Sequence, residues 1–185
     1  MNPAKPKTAP AYLIMMVLLV LDQLTKTLVR MNMDLHHSIP LLKNLFGDTF
    51  MLIHVQNTGA AFSLGLGSDQ VNRVFFISVS VLAVGFIIFL LQKAEHRLQV
   101  IAFGSVLGGA LGNLLDRIMF GPVTDFFSVD FPDFIMERFP IFNVADSSIF
   151  IGVGLLLIDM LFVKDKPPAM LEPLPDLTEI NTKEQ

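Results

Sequence analysis

Residues Gly109–Phe126 read GALGNLLDRIMFGPVTDF. The stretch starts in a run apolar enough to cross a bilayer, yet within a few turns it carries Asn113, Asp116, Arg117 and then Asp125. A charged side chain inside a spanning helix costs roughly 2.5 to 3.5 kcal/mol on insertion scales, so such groups face a protected interior and serve a purpose there. The rest of the chain has to supply that interior.

Of the 185 residues, 52% are hydrophobic and 16% charged, which is too apolar for an ordinary soluble domain. The length suits one small integral membrane domain. A net charge of -4 points neither to nucleic acid nor to a polybasic lipid contact. The absence of cysteine excludes a thiol nucleophile, disulfides and thiolate metal sites.

Working outward, the apolar pattern predicts four spans, at about Ala11–Val29, Val74–Leu91, Val100–Met119 and Val144–Val163. Each is close to the ~20 residues needed to cross ~30 Å of hydrocarbon. In the third, Gly104, Gly108, Gly109 and Gly112 recur every three to four residues and line one face, where helix backbones can approach closely. Lys5 and Lys7 ahead of the first span resemble the start of a secretory signal. LDQLTKTLVR offers no small-residue processing site, however, so that span is expected to be retained.

Basic residues set the expected orientation. Lys5, Lys7, Lys93, Arg97, Lys164 and Lys166 fall on one side, against Lys43 and Arg138 with Arg30 and Arg73 at the boundaries. The positive-inside rule makes the first set, and both termini, cytoplasmic. Asp22 then lies roughly 18 Å into the first span and Asp116 roughly 24 Å into the third, at ~1.5 Å per residue. Asn143 and Asp146 open the fourth span from the outside. The polar residues are thus expected at a single level near the outer face.

Two extracytosolic segments remain, 31–72 and 120–142. The alternating stretch Phe50–Gln56, followed by Asn57-Thr58-Gly59, predicts a strand and a turn within a small sheet lying on the membrane. The tail, 164–185, is proline-rich and polar and is expected to be disordered and cytoplasmic. The fold class is therefore an all-α integral membrane protein of four transmembrane helices with a small extracytosolic β-sheet, a single domain over 1–163.

Elimination narrows the chemistry. His36, His37, His54 and His96 do not form HExxH or another recognisable ligand set, so no metal or cofactor is expected. Ser63, Ser147 and Ser148 lack an evident histidine base, and GLGSD from Gly65 reads as a turn. Carboxylates and amides at the outer membrane boundary survive. Spacing alone does not choose between Asp125, Asp146 and the neighbouring acids Asp130, Asp133 and Glu137.

DQLTK at Asp22–Lys26, NTGAAFS at Asn57–Ser63, GNLLDR at Gly112–Arg117, VTDF at Val123–Phe126 and FNVADS at Phe142–Ser147 resemble, in order, the motifs of the bacterial lipoprotein signal peptidases, signal peptidase II. The resemblance runs from the first span to the fourth. It implies an aspartyl endopeptidase of the bacterial inner membrane that removes signal peptides from prolipoproteins, before a cysteine carrying diacylglycerol. It also implies that Asp125 and Asp146 are the catalytic pair. Thr124 is more polar than the family pattern leads one to expect.

Two carboxylates in a poorly solvated place share one proton, and the pair can activate a water without a metal or cofactor. The N-x-x-D spacing recurs at Asn113/Asp116 and Asn143/Asp146, which sets an amide and an acid on one helix face in each case. The asparagines are candidates to hydrogen-bond the dyad or the substrate. Asp22 and Lys26 are expected to pair, Asp116 and Arg117 to form an interhelical polar clamp or Arg117 to contact lipid phosphate or carbonyls, and Asn57 to shape a turn beside the cleft. Diacylglyceryl-modified prolipoprotein and membrane lipid are the expected partners of a monomer. A small transporter is the other reading, but it needs polar groups on both sides of the membrane.

Overall fold

The computed structural model describes residues 6–41, 43, 47–59, 69–130 and 139–163. Ser63, most of GLGSD, Asp133, Glu137 and the tail from 164 lie outside the described residues. The elements are α1 (Ala9–Asn32), β1 (Ser38–Pro40), β2 (Phe50–Asn57), α2 (Asp69–Leu91), α3 (Arg97–Met119), β3 (Val123–Val129) and α4 (Val144–Phe162). All four helices are long and apolar enough to cross a membrane, and the chain is a multi-pass membrane protein.

The glycine stripe explains why α3 is the central helix. Over its spanning window 61% of α3 is buried, against 6% for α2. A Cβ at Gly104 would fall 2.6 Å from the Ala11 carbonyl oxygen, and one at Gly108 would fall 2.8 Å from Leu18 Cβ, so α1 lies directly against this face. Gly109 is pressed in the same way by Ala145 of α4, and Gly112 by the Asp22 carboxylate. In lipid there is little hydrophobic force between apolar helices, so close backbone contact of this kind and polar links hold the bundle. Large side chains such as Leu82 and Phe150 are left pointing outward, where lipid would cover them.

The end of the bundle that carries the sheet is shaped by how α3 stops. The amides of Phe120 and Gly121 both donate to the Asp116 carbonyl, and Gly121 adopts a φ of 96°, a left-handed turn that glycine takes without steric cost. The chain then reverses into β3. The sheet has the order β1-β2-β3, antiparallel throughout, with a bulge on β2 between Leu52 and Val55. β3 is buried on both faces. Thr124 and Phe126 share one, on which Phe126 packs with Val29 of α1 and Met33 just beyond it; Asp125 lies on the other.

Two sequence expectations need correction. β3 was not foreseen as a strand, because a short segment buried on both sides lacks the alternation that betrayed β2. The polar residues also do not all lie at one level. Asp159, near the far end of α4, is buried beside His96 and Gln99 at the opposite end of the bundle.

Candidate active site

Strand β3 and the start of α4 meet through backbone pairing. The amides of Phe126 and Phe127 donate to the Phe142 carbonyl, and the Phe142 amide donates to Phe127. This bridge carries Asn143 against Asp125, and Asn143 Nδ2 donates to Asp125 Oδ1 at 2.6 Å. Asn143 also starts α4. Its Oδ1 accepts from the Asp146 amide at 2.9 Å, and Asp146 Oδ2 accepts from the Asn143 amide at 3.1 Å. That reciprocal cap satisfies helix-terminal donors and fixes the Asp146 side chain in the first turn.

The remaining carboxylate oxygens face amides from elsewhere. Asn57 Oδ1 accepts from the Gly59 amide, an Asx turn, which leaves its Nδ2 to donate to Asp125 Oδ2 at 3.0 Å. The turn role expected for Asn57 is thus what aims it at the acid. Asn113 Nδ2 donates to Asp146 Oδ1 at 2.8 Å, while Asn113 Oδ1 accepts from Asn143 Nδ2 and from Lys26 Nζ. Both carboxylates are therefore held by amide donors, and Asn143 links the two.

Behind this pair lies a buried ionic cluster. Lys26 Nζ, with no solvent exposure, sits 2.9 Å from Asp22 Oδ2 and 3.4 Å from Asp116 Oδ2. Asp22 Oδ1 accepts from the Ala145 amide of α4, and Asp116 Oδ2 from the Thr124 amide of β3. The cluster thus ties α1, α3, α4 and β3 together at one level.

Of the two residues expected in an interhelical polar clamp, Asp116 reaches another helix and Arg117 does not join it. Adjacent helical residues point about 100° apart, so Asp116 turns to Lys26 and Arg30 of α1. Arg117 Nη1 donates to the Asn113 carbonyl, and its guanidinium lies 5.2 Å from the Phe76 ring centroid. Arg117 stays within the field of Asp146 and Asp125.

Two residues of the cluster escaped the sequence reading. Arg30 donates to Thr124 Oγ1 at 3.0 Å and reaches Asp116 Oδ1 at 3.4 Å, while its guanidinium packs on Phe120. Gln23 Nε2 donates to Asp22, Asp116 and the Gly112 carbonyl. The helical spacing Asp22, Lys26, Arg30 was the available signal for Arg30. Its partner Thr124 also accounts for a polar residue at that position. Of the competing acids, Asp130 lies just past the end of β3, its amide donating to the Thr49 carbonyl.

Asp125 is 3% exposed, and its pKa is pushed up from 3.8 to about 6. Burial is the largest cause and the nearby Asp146 charge adds to it; the amides of Asn57 and Asn143 and the Lys26 charge act the other way. An acid whose folded pKa is raised stabilises the fold fully below its unfolded value and loses that contribution as pH rises through the folded one. Going from 3.8 to about 6 corresponds to at most about 3 kcal/mol. Wild type and Asp125→Asn should therefore be similarly stable in detergent near pH 4, with the variant gaining relative to wild type up to pH 7. Thermal unfolding across that range measures it. A wild type that gains on the variant as pH rises would mean that the ionised form is the favoured one.

Four spanning helices, a sheet at one end of the bundle and two amide-held carboxylates, Asp125 buried and Asp146 half-buried, describe a membrane-embedded hydrolase. The family model for signal peptidase (SPase) II matches residues 14–162. The chain is 45% identical over 151 residues to a lipoprotein signal peptidase of Brevibacillus brevis, covering 80% of this chain and 93% of that protein. It is 43% identical over 145 residues to one of Geobacter sulfurreducens, covering 77% and 86%. A bacterial membrane enzyme solved by the in meso method at 1.9 Å superposes with a TM-score of 0.72 at 27% identity, covering 84% of this chain and 95% of that one. The chain belongs to the signal peptidase II family and is a membrane peptidase.

Proposed function

We propose that this protein is an aspartyl endopeptidase that removes the signal peptide from diacylglyceryl-modified prolipoproteins, cutting before the lipidated cysteine, with Asp125 and Asp146 as its catalytic pair. The observation that carries the reading is the amide of Asn143, which caps the helix bearing Asp146 while donating to Asp125. The two acids are thereby held to one another through a single residue.

In the reactive form one proton is shared. Asp125, the more deeply buried, retains it, and Asp146 is ionised. Asp146 draws a proton from a water between them as the water oxygen attacks the scissile carbonyl. Asp125 donates to that carbonyl oxygen. As the tetrahedral carbon collapses, the C–N bond breaks and the leaving nitrogen takes up a proton from the pair. Asn57, Asn113 and Asn143 keep the four carboxylate oxygens in place, and Lys26 orients Asn113 by holding its oxygen. Arg117 borders the pair and is available to a substrate carbonyl. No step calls on a metal or cofactor.

The site lies at the end of the bundle where α1 and α3 finish and α4 begins, which the basic residues assign to the periplasmic side of the inner membrane. Single cysteines at His36 and Gln92, introduced into this cysteine-free chain, should react with an impermeant thiol reagent from the periplasm and the cytoplasm respectively. Labelling of position 36 from the cytoplasm alone would invert the topology and remove the site from the compartment where it is needed.

A cleft at membrane level gains binding by burying acyl chains at up to about 0.8 kcal/mol per CH₂. Purified protein should therefore cut a diacylglyceryl-modified precursor far faster than the unmodified one, scored by loss of the signal peptide. Equal rates would refute lipid recognition, and failure to cut either would refute the proposed activity.

A further inference from the structure

At the end of the bundle opposite the dyad, α4 buries another acid that the proposed mechanism does not use. Asp159 is 4% exposed. Gln99 Nε2 donates to its Oδ2 at 2.6 Å, and His96 Nδ1 lies 3.2 Å from each oxygen. Oδ1 nevertheless accepts no well-oriented hydrogen bond among the described residues. A buried carboxylate oxygen left in this way is costly unless something else supplies a donor.

Asp159 lines a groove of about 360 Å³ whose apolar walls include Leu90, Phe103 and Leu156 and whose other polar members are Gln99 and Lys93. Lys93 does not pair with Asp159. Its Nζ rests 4.3 Å from the centroid of the Phe89 ring, a weak hold for an exposed ammonium. One groove thus contains an anion and a cation that leave each other unmatched, beside a wall that suits hydrocarbon. A purely cationic ligand would meet Lys93, and a purely anionic one would meet Asp159.

We propose that this groove binds the head of a phosphoethanolamine lipid, with its primary ammonium donating to Asp159 Oδ1, its phosphate met by Lys93 swung from Phe89, and its acyl chains along Leu90, Phe103 and Leu156. A choline head carries no N–H to offer Asp159, and a glycerol head carries no positive charge. The groove therefore discriminates by the ammonium N–H alone among three lipids that share phosphate and acyl chains. It stands apart from the carboxylate pair and does not depend on the catalytic reading.

The test is native mass spectrometry of the full chain after equilibration in detergent with equimolar phosphatidylethanolamine, phosphatidylcholine and phosphatidylglycerol of the same acyl chains. The ethanolamine lipid should be retained about tenfold over each of the others, the scale of one charge-assisted hydrogen bond. Asp159→Asn keeps the shape and an oxygen for Gln99 but removes the charge, and should bring the three lipids to parity. Lys93→Gln, at an exposed position, leaves folding out of the question and should lower retention of the ethanolamine lipid severalfold. Thermal unfolding shows which variants are folded, and Lys93→Gln carries the test alone if Asp159→Asn is not. Equal retention of the three lipids by wild type, or an undiminished preference in the folded variants, overturns the proposal. So does displacement of the lipid by a lysine-containing peptide amide but not by a short-chain ethanolamine lipid, which would assign the groove to a peptide.

Discussion

Asp125→Asn and Asp146→Asn should each insert, fold, and cut lipidated precursor at least about 10³-fold more slowly per folded molecule than wild type. Asparagine preserves the size of the side chain and one of its two acceptors, so one of the bonds from Asn57 and Asn143 is kept at position 125 and one of those from Asn113 and the Asn143 backbone amide at position 146. What disappears is the exchange of a proton with water and leaving group. Because the two acids act as one unit, the double variant should be scarcely worse than either single one. Asp130→Asn and Asp133→Asn should cut normally. Turnover has to be read against folded protein, by thermal unfolding in the same detergent, since a site this buried also contributes to stability. Near-normal cleavage by Asp125→Asn, or loss of cleavage in folded Asp133→Asn, would place the dyad on a different acid.

The largest stability effect is expected at Lys26. Lys26→Met removes the cation that Asp22 and Asp116 share, leaving buried Asp22 with no cation beside it among the described residues and Asp116 with Arg30. Breaking a buried pair in this way costs about 3 to 5 kcal/mol, because the remaining charge keeps its desolvation penalty. It also frees the Asn113 amide that Lys26 orients toward Asp146, so cleavage should fall in the molecules that do fold. Adding Asp22→Asn restores the charge balance, since Arg30 and Asp116 remain paired and the new amide oxygen still accepts from the Ala145 amide. The double variant should recover more than half of the lost stability, measured by chemical or thermal unfolding in one detergent. If the single variant is as stable as wild type, or the second substitution makes matters worse, the cluster is not an ionic brace.

The same cluster shows why only part of the site could be read in one dimension. Helical spacing relates residues on one helix, so it offered Asp22 with Lys26 and an amide with an acid in each N-x-x-D. It is silent on which residue of another helix a side chain will meet. The pairing of Asp116 with α1 instead of Arg117, and the inclusion of Gln23 and Arg30, depend on how far α1 can approach the glycine face of α3. Asn57 is a similar case. Turn chemistry was visible in Asn57-Thr58-Gly59, but the direction of its free amide follows from a sheet register that includes the β2 bulge.

By itself the sequence determined that the chain crosses the membrane four times, because ~20-residue apolar runs have no other stable place to be. It also determined the glycine face of α3 and, through ordered motifs, the family. Only the tertiary structure decided which acids become neighbours. Asp125 and Asp146 are separated by twenty residues of chain, and what unites them is the bridge between Phe127 and Phe142 with Asn143 beside it. Likewise, nothing local marks Asp159 as lying apart from the other acids. Its level in the membrane follows from the direction in which α4 runs, and its burial from α3 packing against it. Hydrophobic transfer acts on each segment alone and is legible along the chain; hydrogen bonds and ion pairs between segments depend on their relative positions, which packing sets.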